Sequence, residues 1–241
     1  MFPENFVAAL KGIVGEAGIR TRPEDLRPFD TDWTKLPGQA DLAVLPASTA
    51  EVSEVLALCT KHKIAVVPSG GRTGLSGGAV VSQGQVALSL SRMNKIGNLD
   101  PLGRTLRVQS GAITQSVHET ALEHGYTWPI DLASKGTSTI GGNLATNAGG
   151  VRVIRYGMTR KWVTALEAVL MSGEIIELNR DLEKNNSGYD LLQLLIGSEG
   201  TLAVITEATL KLTTVPRESV VFFFAVPEIS AINDVLISAW K

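Results

Sequence analysis

The sequence predicts an α+β fold of two lobes: a small parallel-sheet lobe, then a mainly antiparallel-sheet lobe with flanking helices. Three observations predict it. Two short, continuously apolar strands, Leu42–Pro46 and Ile64–Pro68, flank an amphipathic segment, and apolar strands joined by a helix belong to a buried parallel sheet. WVTALEAVLMS, EIIEL and LAVITEATLKLT are β-rich with partial alternation, which suits an antiparallel sheet covered on one face. Between the lobes lies a glycine-rich stretch, Gly136–Gly150.

Taken in order, Phe6, Leu10, Ile13 and Val14 recur at helical spacing, so a first helix ends near Gly18. A proline-spaced connector, Arg22 to Gly38, contains Asp30-Thr31-Asp32-Trp33. Ser48 or Thr49 caps a helix carrying Val52, Val55, Leu56 and Cys59. Val86–Leu90 and Arg104–Ser110 read as strands, Gly111 ends the second, and Ile113–His124 reads as a helix. Thr164–Leu178, with Gly173 at its turn, reads as a hairpin. Val220–Val226 reads as an almost wholly apolar strand, followed by a helix with Ile229, Ile232, Leu236 and Trp240 on one side. Both need partners that no downstream segment supplies. The expectation is an N-terminal part of a longer protein.

Composition bounds the partners. The chain has 241 residues and a net charge of −2, so no electrostatic argument for nucleic acid or an anionic membrane arises. A single cysteine, Cys59, excludes an intramolecular disulfide framework and reads as a small buried apolar residue. The acidic N-terminal segment fits neither a signal nor a transit peptide, and a cytoplasmic setting is expected. His62, His118 and His124 form no metal-ligand set and read as helix-surface or helix-end residues. No nucleophile elbow is present.

The 24 glycines concentrate in two segments, Pro68–Gly78 and Gly136–Gly150. PSGGRTGLSGG follows a buried strand and offers consecutive backbone N–H groups as an anion cradle, with Thr73 as a hydroxyl donor and Arg72 as a positive charge. Its spacing matches neither the Rossmann nor the P-loop fingerprint, and AVVS rather than a helix follows it. In GTSTIGGNLATNAGG the hydroxyl residues suit the cap of a short helix from about Ile140. Its small residues let a flat ring lie against backbone, with Asn143, Thr146 and Asn147 as donors and acceptors. The plain alternatives are a surface loop for the first segment and close helix packing for the second. For Gly197 and Gly200, before a long strand, a simple structural turn competes equally.

With these residues in hand, the chain resembles the vanillyl-alcohol-oxidase-type (PCMH-type) FAD-binding domain. It is most similar to that of the FAD-linked D-2-hydroxy acid dehydrogenases: D-lactate dehydrogenase, glycolate oxidase FAD subunit and D-2-hydroxyglutarate dehydrogenase. The resemblance runs from about Asp30 to the C-terminus through TDWTKLPGQADLAVLPAST, VVPSGGRTGLSGG, PIDLASKGTSTIGGNLATNAGGVRVIRYG and GSEGTLAVITEATLKL. It implies a two-lobed FAD-binding domain over residues 38–216, an N-terminal helix and connector over 1–37, and the start of a substrate domain over 217–241. It implies that the loop Ser69, Gly70, Gly71, Arg72, Thr73 and Gly74 holds the FAD pyrophosphate, with Pro68 and Leu75 also in the cofactor site. Asp131, Thr137, Gly141, Asn143, Thr146, Asn147 and Gly149 would line the flavin and its ribityl chain, with Gly200 and Ile205 near the adenosine half. Arg72 stands where some relatives attach the flavin through a histidine, so FAD should be non-covalent. No residue here is assigned as a catalytic base.

The implied function is the FAD-binding portion of an oxidoreductase that converts a D-2-hydroxy acid to the 2-oxo acid. The electron acceptor is unassigned and a homodimer is left open. The alternatives are an FAD oxidoreductase of another alcohol, and a flavin-binding electron-transfer subunit without chemistry of its own. The chain by itself is expected not to turn over hydroxy acids.

Overall fold

The computed structural model describes residues 2–179, 182 and 184–240. In the first lobe, helix α1 (Glu4–Val14) leads to strand β1 (Ile19–Arg20), α2 (Pro23–Leu26), β2 (Ala43–Val44), α3 (Thr49–Lys61), β3 (Val66–Ser69) and β4 (Val86–Ser89). The sheet runs β1-β2-β4-β3, with β4 parallel to β2 and to β3, and β1 antiparallel at the edge. Central β4 is buried at every position, which is why VALS reads as a continuous apolar run. Ser48 caps α3: its Oγ accepts from the Glu51 N–H at 3.2 Å, while Glu51 Oε2 accepts from the Ala47 N–H at 2.8 Å. One donor orphaned by the helix start, the Glu51 N–H, is thereby satisfied, and the Glu51 carboxylate holds the chain entering the helix.

Phe6, Leu10 and Val14 of α1 pack with Val52, Val55, Leu56 and Cys59 of α3 over this sheet. Burial pushes the Cys59 thiol pKa up to about 12, so at neutral pH it is a protonated packing residue.

The second lobe contains β5 (Ile96–Asp100), β6 (Thr105–Gln109), α4 (Thr114–Leu122), β7 (Tyr126–Thr127), α5 (Ile140–Ala145), α6 (Val153–Tyr156), β8 (Val163–Val169), β9 (Ile175–Leu178), α7 (Leu191–Leu195), β10 (Val204–Lys211) and β11 (Thr213–Thr214). Its antiparallel sheet runs β5-β6-β10-β8-β9. The expected hairpin is β8–β9, turning at Gly173 with φ 91°. Trp128, Ile140, Leu144, Ile196 and Leu210 form the core beneath the sheet. Val169 and Val204 of this sheet pack into the first lobe's core, so the lobes share side chains.

One expected element is corrected. Residues 220–226 form no strand, and Phe222, Phe223 and Phe224 are exposed. The helix after them does form, as α8 (Ala231–Trp240). A helix satisfies its own backbone, whereas a strand takes its hydrogen bonds from a neighbour, and no strand of the described residues pairs with this run. No described helix is long and apolar enough to cross a membrane.

Candidate functional site

The two glycine segments, far apart in sequence, touch. A Cβ on Gly70 would lie 2.5 Å from Thr139 Oγ1, and one on Gly71 would overlap the Thr137 carbonyl oxygen and sit 2.9 Å from Ser138 Cα. At Gly70 and Gly71 glycine is therefore required by close packing on the second segment, not by φ. Gly141 is packed the same way against Ser110, whose Cβ would be 2.7 Å from an added Cβ. Gly200 does need the left-handed region, at φ 75°, and it abuts Pro68.

Between the segments lies a cleft of about 460 Å³. One wall is Pro68–Leu75. The floor is α5 and the turn that follows it, including Gly141, Asn143, Thr146, Asn147 and Gly149. Gly200 and Ile205 close one side. Among the described residues, none of the backbone N–H groups of Gly71–Leu75 donates to a protein acceptor. Such a row of free donors suits a phosphate.

Arg72 sits at φ 54° and turns back. Its guanidinium donates to Ser69 Oγ and the Gly70 carbonyl at 3.2 and 3.1 Å and lies over the Phe29 ring. No carboxylate of the described residues pairs with it, and burial lowers its pKa, so an anion in the cleft would relieve an under-compensated cation. Asn147 and Glu199, also lining the cleft, share the left-handed backbone at φ 48° and 52°. Three non-glycine residues held there, each at a cost of about 1–2 kcal/mol, are the sort of strain that gathers at ligand sites.

The polar groups expected to face a ring are committed elsewhere. Asn143 Nδ2 donates to Thr114 Oγ1 at 2.7 Å, Thr146 Oγ1 to the Gly142 carbonyl at 3.0 Å, and Asn147 Oδ1 accepts from the Arg160 N–H at 3.0 Å. They shape the floor. Thr139 caps α5 through the Gly142 N–H, as its sequence suggests. Gly197 and Glu199 donate their N–H groups to the carbonyls of Leu144 and Ala145, tying the turn before β10 to the end of α5.

Sequence reading missed Asp32 and Ser110. Both line the cleft and are buried, and Asp32 Oδ2 and Ser110 Oγ have no hydrogen-bond partner among the described residues. Neither lies in a glycine segment, so spacing gave no signal. The fold brings Asp32 in through the Trp33 N–H, which donates to the Arg72 carbonyl at 3.1 Å.

Two expected residues are not brought into the cleft. Thr137 is the backbone on which Gly71 rests and is absent from the cleft lining. Asp131 lines a separate cavity of about 670 Å³ with His118, Trp128, Lys135 and Arg152. It pairs with Lys135 at 2.9 Å and Arg152 at 3.6 Å. Burial would raise its pKa, but the hydrogen bond and charge of Lys135, with Arg152 and His118, hold it below the ordinary value. His118 donates Nε2–H to the Ile130 carbonyl at 3.1 Å, and burial pushes its pKa down despite the neighbouring Asp131.

Both shifts work in one direction with pH. The unfolded chain binds more protons at each group than the folded chain does, so stability falls on acidification. The loss begins in the ordinary histidine range, near about 6.5, and deepens below the ordinary aspartate value of about 3.9. His118→Gln keeps a donor for Ile130 and should flatten the first part of the decline. Melting curves between about pH 7.5 and 5 check this. A wild-type protein that grows more stable on acidification contradicts the assignment.

A family model described as an FAD binding domain matches residues 40–179. D-2-hydroxyglutarate dehydrogenase of Xanthomonas citri pv. viticola is 48% identical over 230 residues, covering 95% of this chain and 49% of that protein. D-lactate dehydrogenase of Anaerostipes hadrus is 46% identical over 191 residues, covering 78% and 40%. Among solved structures, an alkyldihydroxyacetonephosphate synthase superposes with a TM-score of 0.81 at 25% identity, over 90% of this chain and 42% of that one. The chain thus spans about half the length of the curated relatives it matches.

Proposed function

Since the chain belongs to the FAD binding domain family, whose model matches more than half of it, we propose that it is the FAD-binding part of a dehydrogenase that oxidises a D-2-hydroxy acid to the 2-oxo acid. The cofactor is FAD. The substrate class rests on the relatives that act on D-2-hydroxyglutarate and D-lactate, at 48% and 46% identity. One observation carries the site: a cleft walled by the unpaired N–H groups of Gly71–Leu75 and floored by α5, where Gly70, Gly71 and Gly141 leave no room for a Cβ. The same residues fit the group. Phosphate oxygens meet free donors, and a flat ring system meets small side chains.

Bound FAD supplies the two-electron acceptor. The chain's own residues bind and orient it. Gly71–Leu75 would hold the pyrophosphate by backbone N–H groups, with Arg72 bracing the loop from behind. Gly141, Thr146 and Gly149 would floor the flavin, and Gly200 and Ile205 would border the adenosine half. Arg72 is no flavin attachment group, so the cofactor should be non-covalent. No residue of this chain is assigned the proton abstraction.

The test starts from colour. The purified protein should show a flavin spectrum, and acid should release FAD rather than FMN. In the polypeptide encoded by the whole reading frame, D-2-hydroxyglutarate or D-lactate should bleach the flavin anaerobically and the L-enantiomers should not. Bleaching by neither D-acid overturns the substrate class, and a colourless protein that FAD cannot reconstitute overturns the cofactor site.

A further inference from the structure

We infer that Asp32 is a positioning residue for the cofactor, its free carboxylate oxygen accepting a hydrogen bond from a sugar hydroxyl of FAD beside the pyrophosphate. The inference rests on the reading of the cleft as an FAD site.

Asp32 is only 4% exposed yet lines the cleft. Its two oxygens differ. Oδ1 accepts from the Thr34 N–H at 2.8 Å and from the Thr34 hydroxyl. Oδ2 has no partner. A buried carboxylate oxygen without a donor costs the folded protein the desolvation of that group. Since no described protein group supplies the donor, the ligand is the natural source of one.

The chemistry of the ligand narrows which donor. At neutral pH the pyrophosphate oxygens accept and do not donate, and a carboxylate facing them would be repelled. Asp32 is anchored next to the phosphate loop, because the Trp33 N–H donates to the Arg72 carbonyl. The donors that flank a pyrophosphate in FAD are sugar hydroxyls, the ribityl chain on one side and the adenosine ribose on the other. Asp32 therefore fixes register: it accepts a hydroxyl at one position and rejects phosphate there. The left-handed Lys35, φ 63°, closes the turn that presents it, through a Lys35 N–H bond to the Asp32 carbonyl at 3.2 Å.

Asp32→Asn is the test, since it keeps an oxygen for Thr34 and removes the charge. The protein freed of flavin should melt at or above the wild-type temperature, because an unpaired buried charge is gone. FAD affinity should drop about tenfold, because the one amide oxygen stays with Thr34 and the Nδ2 group that replaces Oδ2 cannot accept the sugar hydroxyl, so the charge-assisted bond is lost. From the ligand side, FAD analogues lacking single sugar hydroxyls are titrated into the wild-type chain by flavin fluorescence. One of them should bind about tenfold more weakly, and that penalty should shrink in Asp32→Asn, since the two changes remove one bond. A ribityl-deoxy analogue or a ribose-deoxy analogue as the weak one identifies the half contacted. If no deoxy analogue loses affinity, or if Asp32→Asn melts lower while holding FAD as tightly as wild type, Asp32 is a turn-forming residue only and the proposal is wrong. A wild-type chain that binds no FAD overturns it together with the site.

Discussion

Gly71→Asp should abolish FAD binding while leaving both sheets in place. Two costs add. An aspartate Cβ overlaps the Thr137 carbonyl oxygen and crowds Ser138 Cα at 2.9 Å, and both are backbone atoms that cannot rotate away. The new carboxylate then stands among the donors meant for the pyrophosphate. Two like charges about 4 Å apart repel by about 4 kcal/mol at an effective dielectric of about 20, close to a thousandfold in dissociation constant. Gly74→Ala is the control. No protein atom lies within 4 Å of a Cβ there and its φ is not positive, so it should fold as wild type does and lose far less FAD affinity than Gly71→Asp. Titration by flavin fluorescence, with circular dichroism for the fold, makes the comparison. A Gly71→Asp protein within about threefold of wild-type affinity would put the phosphate elsewhere.

The contrast between Gly71 and Gly74 also marks what sequence could and could not tell. The segment Pro68–Gly78 was legible as a ligand loop because its glycines follow an apolar strand. From spacing alone, however, Gly71 and Gly74 are equivalent, and a left-handed φ is the natural reason for both. The structure gives another reason for one and none for the other, because the Thr137–Ser138 backbone, 66 residues further along the chain, lies against Gly71 but not Gly74. Elements with strong local periodicity, such as α3 and β10, were equally legible. β5 was not: IGNLD has a glycine and an asparagine in place of alternation, and it is held by pairing with β6. The run at 220–226 failed in the opposite sense, since apolar composition without a pairing partner does not make a strand. Asp32 and Ser110 lie outside both glycine segments and enter the cleft only through tertiary contacts. Asn143, Thr146 and Asn147 were recognisable as polar residues of the floor, but which way their hydrogen bonds run depends on Thr114, Gly142 and Arg160, which a linear reading does not rank.

Leu144→Ala should lower stability by about 2–5 kcal/mol and weaken FAD binding without touching the ligand. Leu144 belongs to α5, the helix that floors the cleft, and its side chain is fully buried in the second core. Removing its side chain leaves a cavity that the β-sheet below cannot collapse to fill. At about 2–4 °C per kcal/mol for a chain of this size, a loss near 3 kcal/mol moves the melting temperature down by about 6–12 °C. The damage reaches the site because the carbonyls at the end of α5 carry the turn before β10: the Gly197 N–H donates to Leu144 at 3.0 Å and the Glu199 N–H to Ala145 at 2.8 Å. A floor that shifts moves Gly200 off Pro68 and opens the cleft on that side. Saturation with FAD at about a hundred times its dissociation constant returns about 2.7 kcal/mol to the wild type. The variant should regain less at the same FAD concentration, since its affinity is lower. Differential scanning fluorimetry with and without FAD reads both quantities from one pair of curves. If Leu144→Ala melts with the wild type, the side chain is not the support drawn here; if it melts lower but regains the same increment from FAD, the core and the cleft are mechanically separate.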